Sequence, residues 1–442
     1  MNNDNGNITV VLDDDPTGTQ TVHDINVLTV WDRRSLVNQF ESGEAAFYIL
    51  TNSRALPTDA AYELITTICQ NLKSAAATTK KSFNLILRSD STLRGHFPTE
   101  ADAVESSLGA YSRWLICPYF EDGGRLTMND IHYIKEGDKL IPAAESPFAK
   151  DASFGYVNSN LKKWVEEKTN GRIKEQEVGS LKQEGILKEG ILYVTRELRS
   201  PTKVWIANIA SMNELDIVTS ACRKLERDGM TILYRTAASF VQSYVGIKKK
   251  ALLSTWDMTG PLPSNGTRAG GVIIVGSYVP KTTDQLTNLL KHKDIHALEL
   301  DIEMLIYRDQ NLLIQTISDI NSRLTNGETV VIYTSRQLIT DKDPVKSLAI
   351  GNKISEALVE IVRGITVRPH FFIAKGGITS SDMASKGLGV AKAKIIGQAL
   401  PGVPVWLLGD ESRFPVLPYI VFPGNVGGPE ALEQLVSQLQ SD

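Results

Sequence analysis

The sequence predicts an α/β protein of two three-layer domains, each built on a mostly parallel sheet, with an interdomain cleft. Three observations carry this reading. Short apolar runs alternate with amphipathic helical stretches through both halves of the chain, which is the rhythm of βαβ units. Several of those runs stop abruptly in charged, hydroxyl-bearing or glycine-rich segments, as strands do where a parallel sheet presents ligand-binding loops at its carboxyl edge. Between the halves, Met258-Thr259-Gly260-Pro261-Leu262-Pro263-Ser264-Asn265-Gly266-Thr267 supports neither helix nor strand and reads as a linker. The expected boundaries are a first domain over 1–257, a linker over 258–270 and a second domain over 271–442, and the cleft between two such domains is the usual home of a two-substrate site.

The first strand, Ile8–Asp13, is a β-branched apolar run that ends in Asp13-Asp14-Asp15-Pro16-Thr17-Gly18. Like charges this close repel, so a metal, a cationic partner or a polar ligand must reward the arrangement. Further strands are expected at Ala46–Thr51, Phe83–Leu87, Trp114–Cys117, Val204–Asn208 and Thr231–Tyr234, with helices over Thr58–Ser74, introduced by Pro57-Thr58-Asp59, and Glu100–Ser107. The stretch 121–190 breaks the rhythm: it is polar and turn-rich, with one candidate helix at Asn158–Glu167. It reads either as a solvated excursion or as a flap close to the substrate. In the second half, strands are expected at Gly271–Val275, Glu328–Tyr333 and Phe371–Ala374, with a helix at Thr282–His292.

Composition narrows the function classes. A chain of 442 residues with 42% apolar and 22% charged residues is an ordinary globular protein. The net charge of −4 and the lack of a basic block argue against a nucleic-acid partner. Cys69, Cys117 and Cys222 lie in apolar-periodic segments without metal-ligand spacing and are expected in the core, a usage that suits a reducing cytoplasm. The polar N-terminus enters a strand by Ile8, which leaves no room for a signal peptide. No apolar run approaches the about 20 residues that cross a bilayer. A cytoplasmic location is therefore expected; oligomeric state leaves no signal.

The first half looks like a receptor for a small, polar anion. Arg54 follows Thr51-Asn52-Ser53, and Arg88 and Arg94 flank Ser89, Asp90, Ser91 and Thr92. Guanidinium forks match a carboxylate, while Asp14 and Asp90 are suited to accept hydrogen bonds from substrate hydroxyls or to take a proton. His23 and His96 lie near these loops. In the second half, Lys375-Gly376-Gly377-Ile378-Thr379 follows a strand and leads into a helix, and Gly276-Ser277 and Gly424-Asn425-Val426-Gly427-Gly428 have the same character. Glycines let backbone N–H groups approach an anion, and a helix N-terminus adds about half a positive charge; Ser277, Gly376, Gly377, Ile378, Thr379, Gly424, Asn425 and Gly427 are the candidate phosphate contacts. There is no P-loop and no dinucleotide-binding Gly-x-Gly-x-x-Gly after a leading strand. No zinc spacing is present, and the metal ligands stay unassigned; oxygen-rich loops suit Mg²⁺ carried on a phosphate.

Taken in order, Asp13–Gly18, Thr51–Arg54, Ser89–Gly95, Gly123-Gly124-Arg125, Gly276-Ser277, Gly376–Thr379 and Phe422–Gly427 resemble the four-carbon acid sugar kinases, long catalogued as a domain of unknown function, over nearly the whole chain. The resemblance implies a first domain that binds a sugar acid such as threonate, erythronate or 3-oxo-tetronate through Asp14, Arg54 and Arg88–Thr92. It implies a second domain that binds ATP through Ser277, Gly376–Thr379 and Gly424, with transfer of the γ-phosphoryl to the terminal hydroxyl. The chain departs from the family in carrying Arg88 where lysine is common. On this reading Asp14 or Asp90 activates the hydroxyl, one of Arg54, Arg88 and Arg94 fixes the carboxylate, and amides of Gly376 and Gly377 hold the triphosphate with Mg²⁺. Two other classes compete: a phosphohydrolase with an aspartate nucleophile in the Asp13–Asp15 loop, and a non-catalytic sugar-acid sensor.

Overall fold

The computed structural model describes residues 6–260, 268–300, 310–335 and 344–441. The chain divides into two compact units between Lys249 and Lys250. This is earlier than the expected boundary at residue 257, for a packing reason. Leu253 and Met258 join the apolar core of the second unit, and the Leu253 N–H donates to Gln398 O at 2.8 Å. Residues 261–267, the centre of the expected linker, lie outside the described residues.

The first unit contains strands β1 (Ile8–Asp13), β2 (Ile25–Leu28), β3 (Ala46–Leu50), β4 (Phe83–Arg88), β5 (Arg113–Cys117), β6 (Arg125–Met128), β7 (Ile131–Glu136), β8 (Lys139–Pro142), β9 (Val178–Leu181), β10 (Val204–Ala207) and β11 (Ile232–Thr236). Its main sheet runs β2-β3-β1-β4-β11-β5-β10-β9 with every pairing parallel. Helices such as Thr58–Thr79 and Thr99–Leu108 supply the cover that an all-parallel sheet requires. β1 is central and wholly buried, so its acidic end emerges in the middle of the carboxyl edge. Its register with β4 sets Asp13 beside Arg88. Cys69, Cys117 and Cys222 are free and buried, as expected.

The polar stretch 121–190 is not a solvated excursion. Strands β6, β7 and β8 form a separate antiparallel meander, and β9 adds an edge to the main sheet. The helix Leu161–Lys168 starts where Asn160 accepts from the N–H groups of Lys162 and Lys163 at 3.0 and 3.3 Å. Its Trp164 stacks on Phe97 at 4.8 Å between ring centroids, and Tyr156, Leu161 and Val165 are part of the first unit's core. The segment is anchored by polar contacts as well. His132 Nε2 lies 2.8 Å from Ser91 O, its Nδ1 lies 3.0 Å from Thr127 Oγ1, and Tyr156 OH donates to Thr92 O at 2.8 Å. The inserted segment is thus packed on the loop that follows β4.

The second unit contains β12 (Val272–Val275), β13 (Ile295–Leu300), β14 (Thr329–Thr334), β15 (Phe372–Lys375), β16 (Lys392–Leu400), β17 (Val403–Leu408) and β18 (Pro418–Phe422). The order is β13-β14-β12-β15-β18-β17-β16. Pairings are parallel from β13 to β18 and antiparallel from β18 through β16. The α/β class with mostly parallel sheets is as the sequence predicts; the antiparallel end of this sheet was not expected.

His132 provides a pH test of the inserted segment. Burial, helped by the charges of Arg125 and Arg235, pushes its imidazole down to about 4 against the opposing hydrogen bond to Ser91 O. Between about pH 6.5 and 4 the unfolded chain takes up a proton that the folded chain refuses, so stability falls as pH drops through that window, by on the order of 3 kcal/mol when complete. The denaturant midpoint, followed by tryptophan fluorescence, should fall from pH 7 to pH 4.5, and His132→Gln should flatten that fall. An equal pH slope in the variant would exclude His132 as its source.

Candidate functional site

At the carboxyl edge of the first unit, four short segments bring their charges together. Asp13 and Asp14 close β1, Arg88 closes β4, Arg54 lies in the single turn Ser53–Ala55 after β3, and Asp90 to Gly95 form the loop after β4. Arg88 Nη1 donates to Asp13 Oδ1 at 3.1 Å and to Asp14 Oδ1 at 3.4 Å. Arg54 donates to Asp15 Oδ2 and places Nε 3.8 Å from Asp14 and Nη1 3.6 Å from Asp90. Arg94 Nε donates to Asp90 Oδ2 at 2.6 Å, while its Nη1 is 3.6 Å from Asp151 of the inserted segment. Thr92 Oγ1 donates to Asp90 and Thr17 to Asp15. Carboxylates and guanidiniums therefore alternate in one continuous network. Gly18 is the only residue type that fits its place, since a Cβ would run into the Asp13 carboxylate.

The environments separate these acids. Burial pushes Asp13 up to about 8 against the pull of Arg88. Burial also raises Asp14, opposed by Arg54 and Arg88. Burial also works to raise Asp15 and Asp90, which are less enclosed, but Arg54 with the Thr17 hydrogen bond outweighs it at Asp15, and Arg94 with Arg54 outweighs it at Asp90, so both are held below the ordinary carboxylate range. Oδ2 of Asp13 and Oδ2 of Asp14 are buried with no hydrogen-bond partner. Glu100, at the start of the helix Thr99–Leu108, accepts from Ser53 Oγ at 2.6 Å, and burial, reinforced by Asp14, moves it up to about 7.

The structure thus brings Asp14, Arg54, Arg88, Asp90, Thr92 and Arg94 into one cluster. Ser89 and Ser91 are buried within the same loop, where the Ser89 N–H donates to Thr236 O at 2.8 Å. His96 is buried beside them and bonds Ser53 O and Leu56 O. His23 instead pairs with Asp24 and Lys248 O. Sequence reasoning read Asp13 and Asp15 as part of the acidic strand end without naming them as site residues, and it did not single out Asp151, Glu100 or Arg235. The last stands one residue beyond the expected strand Thr231–Tyr234, where a cation at a strand end was the available signal.

In the second unit, the three glycine turns meet. They follow β12, β15 and β18, which are neighbours in the parallel part of the sheet. Gly276 faces Thr379, and a Cβ on Gly376 would stand 2.9 Å from Ser277 Cβ, one on Gly424 3.0 Å from Ser277 Oγ. Thr282 Oγ1 donates to Gly424 O at 3.0 Å. Gly376 has φ +115° and opens the helix Gly377–Asp382. Ile378 is exposed and Thr379 buried; Asn425 and Gly427 lie at the exposed outer part of the last turn. Gly427 has a packing reason of its own, since a Cβ would press on Ala431, and Gln285 holds this turn by donating to Val426 O and Gly428 O at 2.9 and 2.8 Å. Beneath the turns Lys375 is fully buried, donates to Pro423 O at 2.6 Å and lies 4.1 Å from the centre of the Phe422 ring. Burial, with Lys281 nearby, pushes its amine down to about 7. Among the described residues no group of three or more His, Cys, Asp or Glu side chains is arranged to hold a metal ion.

Comparison with known proteins agrees with this division. Residues 9–244 match a family model described as a sugar-binding N-terminal domain, and residues 272–432 one described as a nucleotide-binding C-terminal domain. A Haemophilus influenzae protein from a family catalogued as a domain of unknown function superimposes with a TM-score of 0.65 at 18% identity, covering 97% of this chain and 100% of its own. A Salmonella typhimurium protein, provisionally described as a tRNA synthase, does so with a TM-score of 0.66 at 15% identity and 98% coverage of each chain. At these identities the likeness is one of fold. No curated protein matches the chain.

Glycine substitution distinguishes a built turn from a permissive one. Gly376→Ala forces a Cβ into the left-handed region and against Ser277, and should weaken binding of a non-hydrolysable ATP analogue by more than about tenfold in calorimetry. Gly428→Ala, whose Cβ would meet nothing within 4 Å, should leave it unchanged. Equal affinities for the two variants would show that the close approach at Gly376 has no part in nucleotide binding.

Proposed function

The chain belongs to the four-carbon acid sugar kinase family, and on that premise we propose that it transfers the γ-phosphoryl group of ATP to the terminal (C4) hydroxyl of a four-carbon sugar acid such as threonate, erythronate or a 3-oxo-tetronate. The observation that supports this most is the contrast between the two clusters. The first unit gathers side-chain acids and guanidiniums, which suit a small hydroxy acid. The second gathers glycine turns at the ends of parallel strands, which suit phosphate.

Phosphoryl transfer asks for positioning and charge stabilisation more than covalent help. The raised proton affinity of Asp14, with one buried oxygen unpartnered, makes it the better general base: Asp14 takes the proton of the C4 hydroxyl as that oxygen attacks the γ-phosphorus and ADP departs. Asp90, held low by Arg94 and Arg54, is a poor base and serves to orient a hydroxyl. Arg54, Arg88 and Arg94 are each committed to protein carboxylates and keep the acids in place. In the second unit Ser277, Gly376, Gly377, Ile378, Thr379, Gly424, Asn425 and Gly427 are the proposed nucleotide contacts. The donors offered there by Ser277, Thr282 and Thr379 are hydroxyl oxygens, and Asp382 of the following helix is tied to Lys386 and Ser355. Such a set would suit Mg²⁺ brought in on the nucleotide, and the ion would supply neutralisation of charge on the triphosphate.

An aspartate-nucleophile phosphohydrolase gains no support from Asp13, which is fully buried and bonded to Arg88, and it leaves a nucleotide-binding domain without a task.

The reading is tested by ADP release against a panel of four-carbon sugar acids, with the phosphorylated carbon mapped in the product. Asp14→Asn should lower kcat by about 10²–10³-fold with little change in KM, and Asp90→Asn should act mainly on KM. Failure of every acid on the panel to elicit ADP would refute the kinase reading; a full kcat in Asp14→Asn would remove Asp14 as the base.

A further inference from the structure

Arg235 differs from the other arginines of the first unit's cluster. It lies near the end of β11, is 4% exposed, and donates from Nη2 to Arg94 O at 3.1 Å. Its guanidinium sits over the indole of Trp164, 5.1 Å from the ring centre. Its Nε and Nη1 are buried without a hydrogen-bond partner. Arg54, Arg88 and Arg94 each pair with protein carboxylates. No described carboxylate pairs with Arg235, although Asp14, Asp90 and Glu100 are the acids that act on it most.

A buried guanidinium with two idle donors is costly. Burial opposes its charge more strongly than these acids support it. A protein can retain such a group at a ligand site because the ligand supplies the missing partner. The tether to Arg94 O aims the fork at the Asp90–Gly95 loop, and the Trp164 face restricts its rotation. From this geometry we infer that Arg235 is the residue that recognises the carboxylate of the substrate, in place of Arg54, Arg88 or Arg94. Resting on the reading of the first unit as a sugar-acid receptor, the inference names the residue at which an acid is told from its neutral polyol counterpart. The idle nitrogens are closed to solvent, so a carboxylate reaches them only when the groups that cover them move. The helix Leu161–Lys168 of the inserted segment, through Trp164, thereby becomes part of acid recognition.

The test is binding without ATP, so that it stands apart from the kinase reading. Threonate, erythronate and the corresponding neutral tetritols are titrated by calorimetry into the full chain. The wild type should prefer an acid over its tetritol by about 30-fold or more, the scale of a buried charge-assisted pair. Arg235→Gln should abolish that preference by weakening the acid while leaving the tetritol unchanged. Arg235→Lys keeps the charge but loses the fork, and should retain only part of the preference; it also guards against a Gln variant that does not fold. Arg172→Gln, which removes an arginine charge from an exposed pair with Asp102 in the same unit, should keep the preference. Affinity for a non-hydrolysable ATP analogue, unchanged in every variant, reports that the chain is folded. Full acid preference in Arg235→Gln or in Arg235→Lys, or no acid preference in the wild type, would overturn the inference. Acid binding by the wild type without ADP release would instead refute the kinase reading and leave Arg235 in its role.

Discussion

A charge taken out of water must find a partner, and the first unit is organised around that demand. Each desolvated ion costs several kcal/mol unless it is matched. Here the match is made by strand register rather than by sequence proximity. Parallel pairing sets Asp13 of β1 beside Arg88 of β4, and the turn after β3 brings Arg54 to Asp14, Asp15 and Asp90. The acidic loop can therefore be buried only with its neighbours in this order. The helices and the inserted segment supply the cover that makes the burial, and hence the altered proton affinities, possible.

The second unit gathers backbone at its strand ends instead. Gly276, Gly376 and Gly424 lack the Cβ atoms that would fill the space around Ser277 and Thr379, so main-chain groups stand close together at the ends of three neighbouring strands. Amide dipoles carry no proton and need no counter-ion, which spares this unit the alternating charges of the first. Lys375 is the exception. It has been driven toward neutrality by its surroundings, in keeping with an ammonium whose contacts are a carbonyl and a ring face.

Much of this was legible because buried parallel strands read as continuous apolar runs. Ile8–Asp13 coincides with β1, and the expected ends at Leu87 and Ala374 fall one residue short of those observed. Both errors have one cause: Arg88 and Lys375 are charged residues that finish a strand, and polarity was taken for the strand's end. The four-residue strands β2 and β9 are too short to show a period against their flanks. The stretch 121–190 was hardest, because its anchors are few and separated. Tyr156, Leu161 and Trp164 bury an otherwise polar segment, and no local pattern marks them as a core. Most charged residues that adjoin recognisable strand ends were singled out, Arg235 near the end of β11 being passed over, while Asp151 and Glu100 join the cluster only by tertiary approach and left no local signal.

The proton affinities and the charge balance of the first unit are one property. Asp14 and Asp13 share Arg88, and Asp14 also shares Arg54 with Asp15 and Asp90; such sites titrate as a coupled set. Burial raises both Asp13, to about 8, and Asp14, and Arg88 opposes the rise at each, so a proton gained by one leaves more of the Arg88 charge for the other. An anionic ligand entering the cluster acts the other way. Its negative charge draws on the same guanidiniums and raises the proton affinity of Asp14 further. On the proposed reading, a base that strengthens as an acid substrate arrives needs no moving part: the carboxylate bound at Arg235 would also prepare Asp14 to deprotonate the hydroxyl. On the same reading a neutral polyol would meet two disadvantages, a lost contact and a weaker base, and a cluster of fixed charges would select for an acid in binding and again in turnover.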